Sequence, residues 1–222
     1  MRSMQEKKHT KLILLLLLFS AAVAFVVLYF AVIAKHPAKP DLSKIKIDGV
    51  ILTETKPLND FTLTDNKGNA FTKSNLEGQW TMLFFGFTNC GYVCPTTMTA
   101  LNKMYHSLET DLSKEKLPQV VLVTVDPERD TVTRMNDYVS AFNPEFKGVR
   151  GEQANLDQFT KALHITAMKM EASGEGENHY MINHSAEIIL INPEGKIQAY
   201  LSYPHEANQM SKDYKAILTA LS

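Results

Sequence analysis

Only two cysteines, Cys90 and Cys94, occur in the 222 residues of the chain. So close a pair cannot staple a fold, which excludes a disulfide framework and gathers all thiol chemistry at one place. An excess of charge of either sign is also missing: Lys and Arg number 23, Asp and Glu 24, and the formal net charge is -1. Without a basic surplus, nucleic acid is not indicated as a partner, and an acidic polymer is not indicated either. Repeats and low-complexity blocks are absent, which excludes solenoids and arrays.

Charge is missing altogether from residues 12–34, LILLLLLFSAAVAFVVLYFAVIA. A helix of this length at about 1.5 Å per residue crosses the roughly 30 Å hydrocarbon core of a bilayer. A cleaved secretory signal has an apolar region of only about 7–15 residues. Ala22-Val23-Ala24 resembles a cleavage site, yet the apolar run continues past it, so an uncleaved anchor is expected. Arg2, Lys7, Lys8 and Lys11 precede the run, and Lys35, Lys39, Lys44 and Lys46 follow it, so basic flanks alone nearly tie on orientation. The commoner arrangement keeps the short tail (residues 1–11) inside and exports the large domain, where disulfides can form. The tail lacks the Arg- and Ser-rich character of a mitochondrial transit peptide. A single-pass protein of a bacterial inner membrane, facing the periplasm, is therefore expected. Residues 35–50 carry two prolines and alternating charge, which suits a tether.

The remaining residues, 51–222, are enough for one domain with its own core. Residues 61–64 read as a strand entering a turn at Asp65-Asn66-Lys67-Gly68-Asn69. Residues 80–87 and 120–125 are apolar runs of buried-strand length. Helical spacing appears over 95–108, 132–142, 156–163 and 211–221, and a hairpin turns at Asn192-Pro193-Glu194-Gly195-Lys196. Strands alternating with helices, ending in a hairpin, predict an α/β sandwich around a central mixed sheet.

The chemistry concentrates where the first central strand ends, at Asn89-Cys90-Gly91-Tyr92-Val93-Cys94-Pro95. Pro95 suits a first helical turn and biases Cys94 away from helical angles. Cys94 is then expected at the positive end of a helix, which favours its thiolate. Gly91 is expected to let the loop turn tightly. The spacing is one residue wider than the Cys-x-x-Cys of redox exchange. Two thiolates plus a nitrogen ligand suit Cu(I), whereas a local structural or redox disulfide is the plainer reading of the same pair. Of seven histidines, His9 and His36 flank the anchor, His106 and His164 lie in helical stretches, and His205 follows Pro204 in a loop. His179 and His184 remain. His184 precedes a strand and can face the cysteines across the sheet end, whereas His179 adjoins a polar, glycine-rich loop. Met168, Met170 and Met181 are possible thioether ligands but are expected to fill the core.

With these residues in order, the sequence resembles the Sco/SenC family of copper-binding assembly proteins. The resemblance rests on Phe84-Phe85-Gly86-Phe87-Thr88 before the cysteine loop, then Val125-Asp126-Pro127-Glu128-Arg129-Asp130-Thr131, Gly148-Val149-Arg150-Gly151, His184-Ser185, and the Asn192 turn. It implies a thioredoxin-like fold and copper, as Cu(I) or Cu(II), held by Cys90, Cys94 and His184. The cysteines would double as a redox disulfide. It also implies delivery of copper to the dinuclear centre of cytochrome c oxidase subunit II, or reduction of that subunit's cysteines. Another periplasmic copper carrier or thiol reductase would be a further partner. Family members often carry Asp before the ligand histidine; here it is Asn183, a change expected to tune the metal. A thiol–disulfide oxidoreductase is the alternative function, and a thiol peroxidase lacks any recognisable activating environment for Cys90. Asp126 to Thr131 read either as an acidic rim or, more simply, as a strand end with Asp130 or Thr131 capping the next helix.

Overall fold

The computed structural model describes residues 2–34, 41–171 and 180–221. The chain divides into two compact units, Met1–Pro40 and Asp41–Ser222. The first is one helix, α1 (Arg2–Ala34), whose stretch Ile13–Phe30 has mean hydropathy 2.9 and no buried share, long and apolar enough to cross a membrane.

The second unit begins earlier than residue 51. Leu42 is already buried, and the first strand, β1 (Gly49–Pro57), takes up the end of the stretch expected as a tether. Its composition hides it: the strand is half exposed along its length, so it has no continuous apolar run. Then follow β2 (Thr62–Asp65), β3 (Ala70–Thr72), β4 (Thr81–Gly86), α2 (Val93–Asp111), β5 (Gln119–Thr124) and α3 (Val132–Phe142). After these come β6 (Lys147–Arg150), α4 (Gln153–Ala162), β7 (Ala167–Glu171) and β8 (Tyr180–His184). The chain ends with β9 (Ile188–Ile191), β10 (Lys196–Leu201) and α5 (Ala207–Ala220).

Eight strands form one sheet in the order β1-β10-β9-β4-β5-β6-β2-β3. β4, β5 and β6 run parallel, joined through α2 and α3, and every other neighbouring pair is antiparallel. The mixed sheet expected from the sequence is therefore present. Every residue of β4, β5 and β9 is buried, as apolar runs covered on both faces require. α2 packs against α3 and α5, and α5 is locked down by Tyr214. That phenol donates to the Lys116 carbonyl at 2.8 Å, and its ring meets Trp80 edge-on at 6.1 Å.

β7 and β8 form a separate two-stranded ribbon. Nothing in the sequence pattern marked it, because one of its faces is exposed and the other buries only Ile182 fully.

Candidate metal centre

β4 ends at Gly86, and the loop after it carries both cysteines into α2. The site thus lies beyond the carboxyl end of a central strand, the usual place for ligands in open α/β sheets. Cys94 is buried, Cys90 is half-buried, and both are free thiols. His184 ends β8 and swings over them, its Nε2 3.7 Å from Cys94 Sγ. The two sulfurs and a His184 ring nitrogen all lie within 4.8 Å of one another.

The imidazole is oriented by its other nitrogen. Nδ1 donates to the Ser185 carbonyl at 2.8 Å, and a carbonyl only accepts, so Nδ1 carries a proton and Nε2 is the nitrogen that faces the sulfurs. Phe84 and Phe87 hold the ring edge-on, with centroids at 6.3 and 5.9 Å. A metal-bound histidine is held in the same way, with its other ring nitrogen donating to a carbonyl that fixes the ring.

One negative charge is shared by the thiol pair, and it rests on Cys90. Its pKa is lowered to about 4, first by the hydrogen bond from the Cys94 side chain, then by those from His184 and from the backbone, against the opposing effect of burial. Cys94 is raised, first by its side-chain contact with Cys90 and then by burial. The sequence expectation had the thiolate at Cys94. The helix does serve a thiolate, but through its amide: Cys94 N–H donates to Cys90 Sγ at 3.3 Å.

Two local expectations also change. Cys94 is already helical although Pro95 follows it, since α2 begins at Val93 and Pro95 lies in the first turn, where no amide is missed. Gly91 has no positive φ, and a Cβ there would touch nothing within 4 Å. The glycine that the site requires is Gly86, where a Cβ would stand 3.0 Å from Cys94 Sγ.

The Asp126–Thr131 stretch divides its roles. Thr131 caps α3, its hydroxyl accepting from Arg134 N at 3.2 Å. Asp130 is fully buried and accepts from Thr88 N (3.1 Å), Thr88 Oγ1 (2.5 Å) and Thr124 Oγ1 (2.6 Å), fixing the start of the cysteine loop. Arg134 ties the same loop from outside through Thr88 Oγ1 and Asn89. Asp126 pairs with Arg129 and accepts from Tyr180 Oη at 2.6 Å. The Arg129 guanidinium stacks 3.7 Å over the Tyr180 ring, which holds the β7–β8 ribbon and, through it, His184. Sequence reasoning missed Gly86, Arg129 and Tyr180 as supports, although the first two stand inside quoted motifs.

His179 lies outside the described residues. The three methionines are not core fillers: Met168 is 58%, Met170 50% and Met181 67% exposed. The outward face of a two-stranded ribbon has no layer to cover it. Between ribbon and cysteine loop runs an open cleft of about 340 Å³, lined by Phe87, Cys90, Tyr92, Met181 and His184 among others.

Two sulfurs and one imidazole, with no carboxylate among them, form a donor set for a soft ion and not for calcium or magnesium. A thioredoxin-like sheet carrying such a set defines a thiol-based metal-site protein. Residues 52–219 match the SCO1/SenC family, and the chain belongs to it. A "Putative copper-binding protein" of Stutzerimonas stutzeri is 30% identical over 169 residues, 76% of this chain and 80% of that one. The human "Protein SCO2 homolog, mitochondrial" is 34% identical over 162 residues, 72% of this chain but only 59% of the human protein's length. Among solved structures, Arabidopsis thaliana ScoI with copper bound is similar at a TM-score of 0.66 and 28% identity, covering 72% of this chain and 98% of that one.

Proposed function

We propose that the protein is a copper metallochaperone that carries copper on Cys90, Cys94 and His184 and assists assembly of the dinuclear copper centre of cytochrome c oxidase subunit II. The observation that carries this reading is the convergence of the three donor atoms within 4.8 Å. Membership of the SCO1/SenC family supports it, as do the copper named for its relatives and the oxidase expected from the sequence resemblance. Copper here is cargo. Cys94 is buried while Cys90 and His184 border the cleft, so an incoming partner thiolate can reach the ion from one side. Such stepwise ligand exchange favours release over permanent storage.

Residues 12–34 anchor the protein in a bacterial inner membrane, with the sheet domain on the periplasmic side. A single apolar helix of spanning length supports the anchor. Another periplasmic copper carrier, or a thiol reductase, supplies metal or electrons.

A second reading, a thiol–disulfide oxidoreductase that keeps the oxidase cysteines reduced, is favoured by one specific feature. Cys90 is an acidic, half-exposed thiolate beside a second thiol. In that role Cys90 attacks a disulfide and Cys94 resolves the mixed disulfide, leaving a Cys90–Cys94 bond.

The test is metal titration of the reduced full chain in detergent, without oxygen. Cys90→Ser and Cys94→Ser should each nearly abolish the tightest Cu(I) binding, that at the Cys90–Cys94–His184 site, because each removes a soft anionic ligand. His184→Ala should keep Cu(I) on two sulfurs yet lose or alter the Cu(II) spectrum, with His179→Ala as the comparison. Oxidised protein should take up no Cu(I) at this site, since its sulfur ligands must be thiolates. If neither histidine matters and the reduced protein turns over disulfide substrates rapidly, the oxidoreductase reading replaces the chaperone.

A further inference from the structure

The β7–β8 ribbon has two unlike faces. Cross-strand register pairs Met170 with Met181 and Met168 with Asn183. Residues directly opposite share a face, and so do residues two apart on one strand. Met168, Met170, Met181 and Asn183 therefore form one face, and all four are exposed. The other face carries Ile182, which is buried, Tyr180, which sits under Arg129, and His184.

Scattered exposed apolar residues need no account, but three methionines filling one small face are a concentration of a single chemistry. Thioether sulfur is a neutral, soft donor on a flexible stem, suited to Cu(I) and poorly suited to hard cations. Opposite residues on such a ribbon have Cβ atoms about 4.5–5.5 Å apart, and diagonal ones about 7–8 Å, within reach of methionine side chains around one ion. Met181 also lines the cleft that holds Cys90 and His184.

We propose that Met168, Met170 and Met181 form a second Cu(I) site, an outer thioether site at the rim of the cysteine cleft. It rests on the copper reading above and deepens it. The outer site captures Cu(I) from a carrier and passes it round the rim to the thiolates. No electron moves, and because thioethers bear no proton, none is released on capture. Transfer inward is downhill, since anionic sulfur binds Cu(I) more tightly than neutral sulfur does.

The experiment uses reduced full chain in detergent, labelled at the methionine methyl carbons, with Cu(I) added from a buffered chelator. Single methionine-to-leucine variants assign the three signals. Wild type should bind two equivalents, the weaker one moving the methyls of Met168, Met170 and Met181. Cys90→Ser combined with Cys94→Ser should retain one equivalent, moving the same three methyls at pH 5 as at pH 7. Adding Met168→Leu, Met170→Leu and Met181→Leu to that double variant should remove it. If the double-cysteine variant binds no Cu(I), or its three methyls stay still, the outer site does not exist and the face serves only protein contact. If wild type binds a single equivalent that moves the methionine methyls, the cysteine-site reading fails while the thioether site stands.

Discussion

Nε2 of His184 lies 3.7 Å from Sγ of Cys94 across a sequence separation of 90 residues. The contact is made by two anchored structures. The cysteine loop is held from below by buried Asp130, and the histidine arrives on a ribbon pinned by Arg129. A ligand set assembled in this way is rigid before metal arrives, so little ordering is left to oppose binding.

The shared thiolate gives a pH signature. Cys90 titrates at about 4, far below an ordinary thiol, so its alkylation rate by iodoacetamide should stay level from neutral pH down to about pH 5. As pH falls through about 4 the sulfur gains its proton and the rate should collapse. Cys94, raised and buried, should stay unmodified throughout. Cys94→Ala removes the largest cause of the lowering, so the Cys90 midpoint should move up toward the ordinary thiol range. Mass spectrometry of the alkylated peptide reads both sites; a midpoint unmoved by Cys94→Ala would refute the shared-proton account.

Gly86→Ala should damage the site more than the fold. Its new methyl would lie 3.0 Å from Cys94 Sγ and about as close to Leu122 and Phe84, in a strand with no room to spare. Overpacking of this kind costs about 1–3 kcal/mol. The sulfur is the only one of the three neighbours that binds metal, so Cu(I) affinity should fall at least tenfold in protein that still unfolds cooperatively. Unchanged affinity would show that Cys94 has slack.

Arg129→Leu separates support from ligation. Arg129 is not one of the three donor residues, yet its loss leaves the carboxylate of Asp126, whose side chain is fully buried, without its ion-pair partner and takes the stacked guanidinium off the Tyr180 ring. Breaking a buried pair from one side costs about 3–5 kcal/mol. Urea unfolding should show a loss of that order, and the Cu(II) spectrum should broaden as His184 loses its fixed approach. Arg129→Lys should recover only part of either effect, because an ammonium lacks the planar fork that stacks and pairs at once. If stability is lost while the Cu(II) spectrum stays sharp, the ribbon does not position His184.

A chain starting at Asp41 should fold without the anchor and without metal. Asp41–Ser222 is a compact unit, and Asp48 inside it is held by the Asp213 carboxylate at 3.0 Å. Starting at residue 51 instead removes Leu42, Asp48 and the first residues of β1, and should lower stability. Circular dichroism of the two truncations, each with and without copper, checks both statements; folding of the longer one only after copper addition would overturn the first.

Features that depend on near neighbours were legible along the chain. Apolar runs became β4 and β5, helical spacing became α2 and α3, an uncharged stretch became α1, and the cysteine loop ended where a buried strand ends. Each rests on contacts within a few residues or on plain hydrophobicity, so the pattern is written along the chain. Resemblance of motifs in order added His184 and the thioredoxin-like sheet. Edge strand β1 and the β7–β8 ribbon stayed hidden, because a half-exposed strand owes its structure to the partner it pairs with. Which sulfur carries the charge depends on the folded loop. Burial raises both thiols, but the Cys94 N–H and its thiol, together with His184, all reach Cys90. Tertiary structure likewise turned three expected core methionines outward, since a separate ribbon has one face on the protein and nothing to lay across the other.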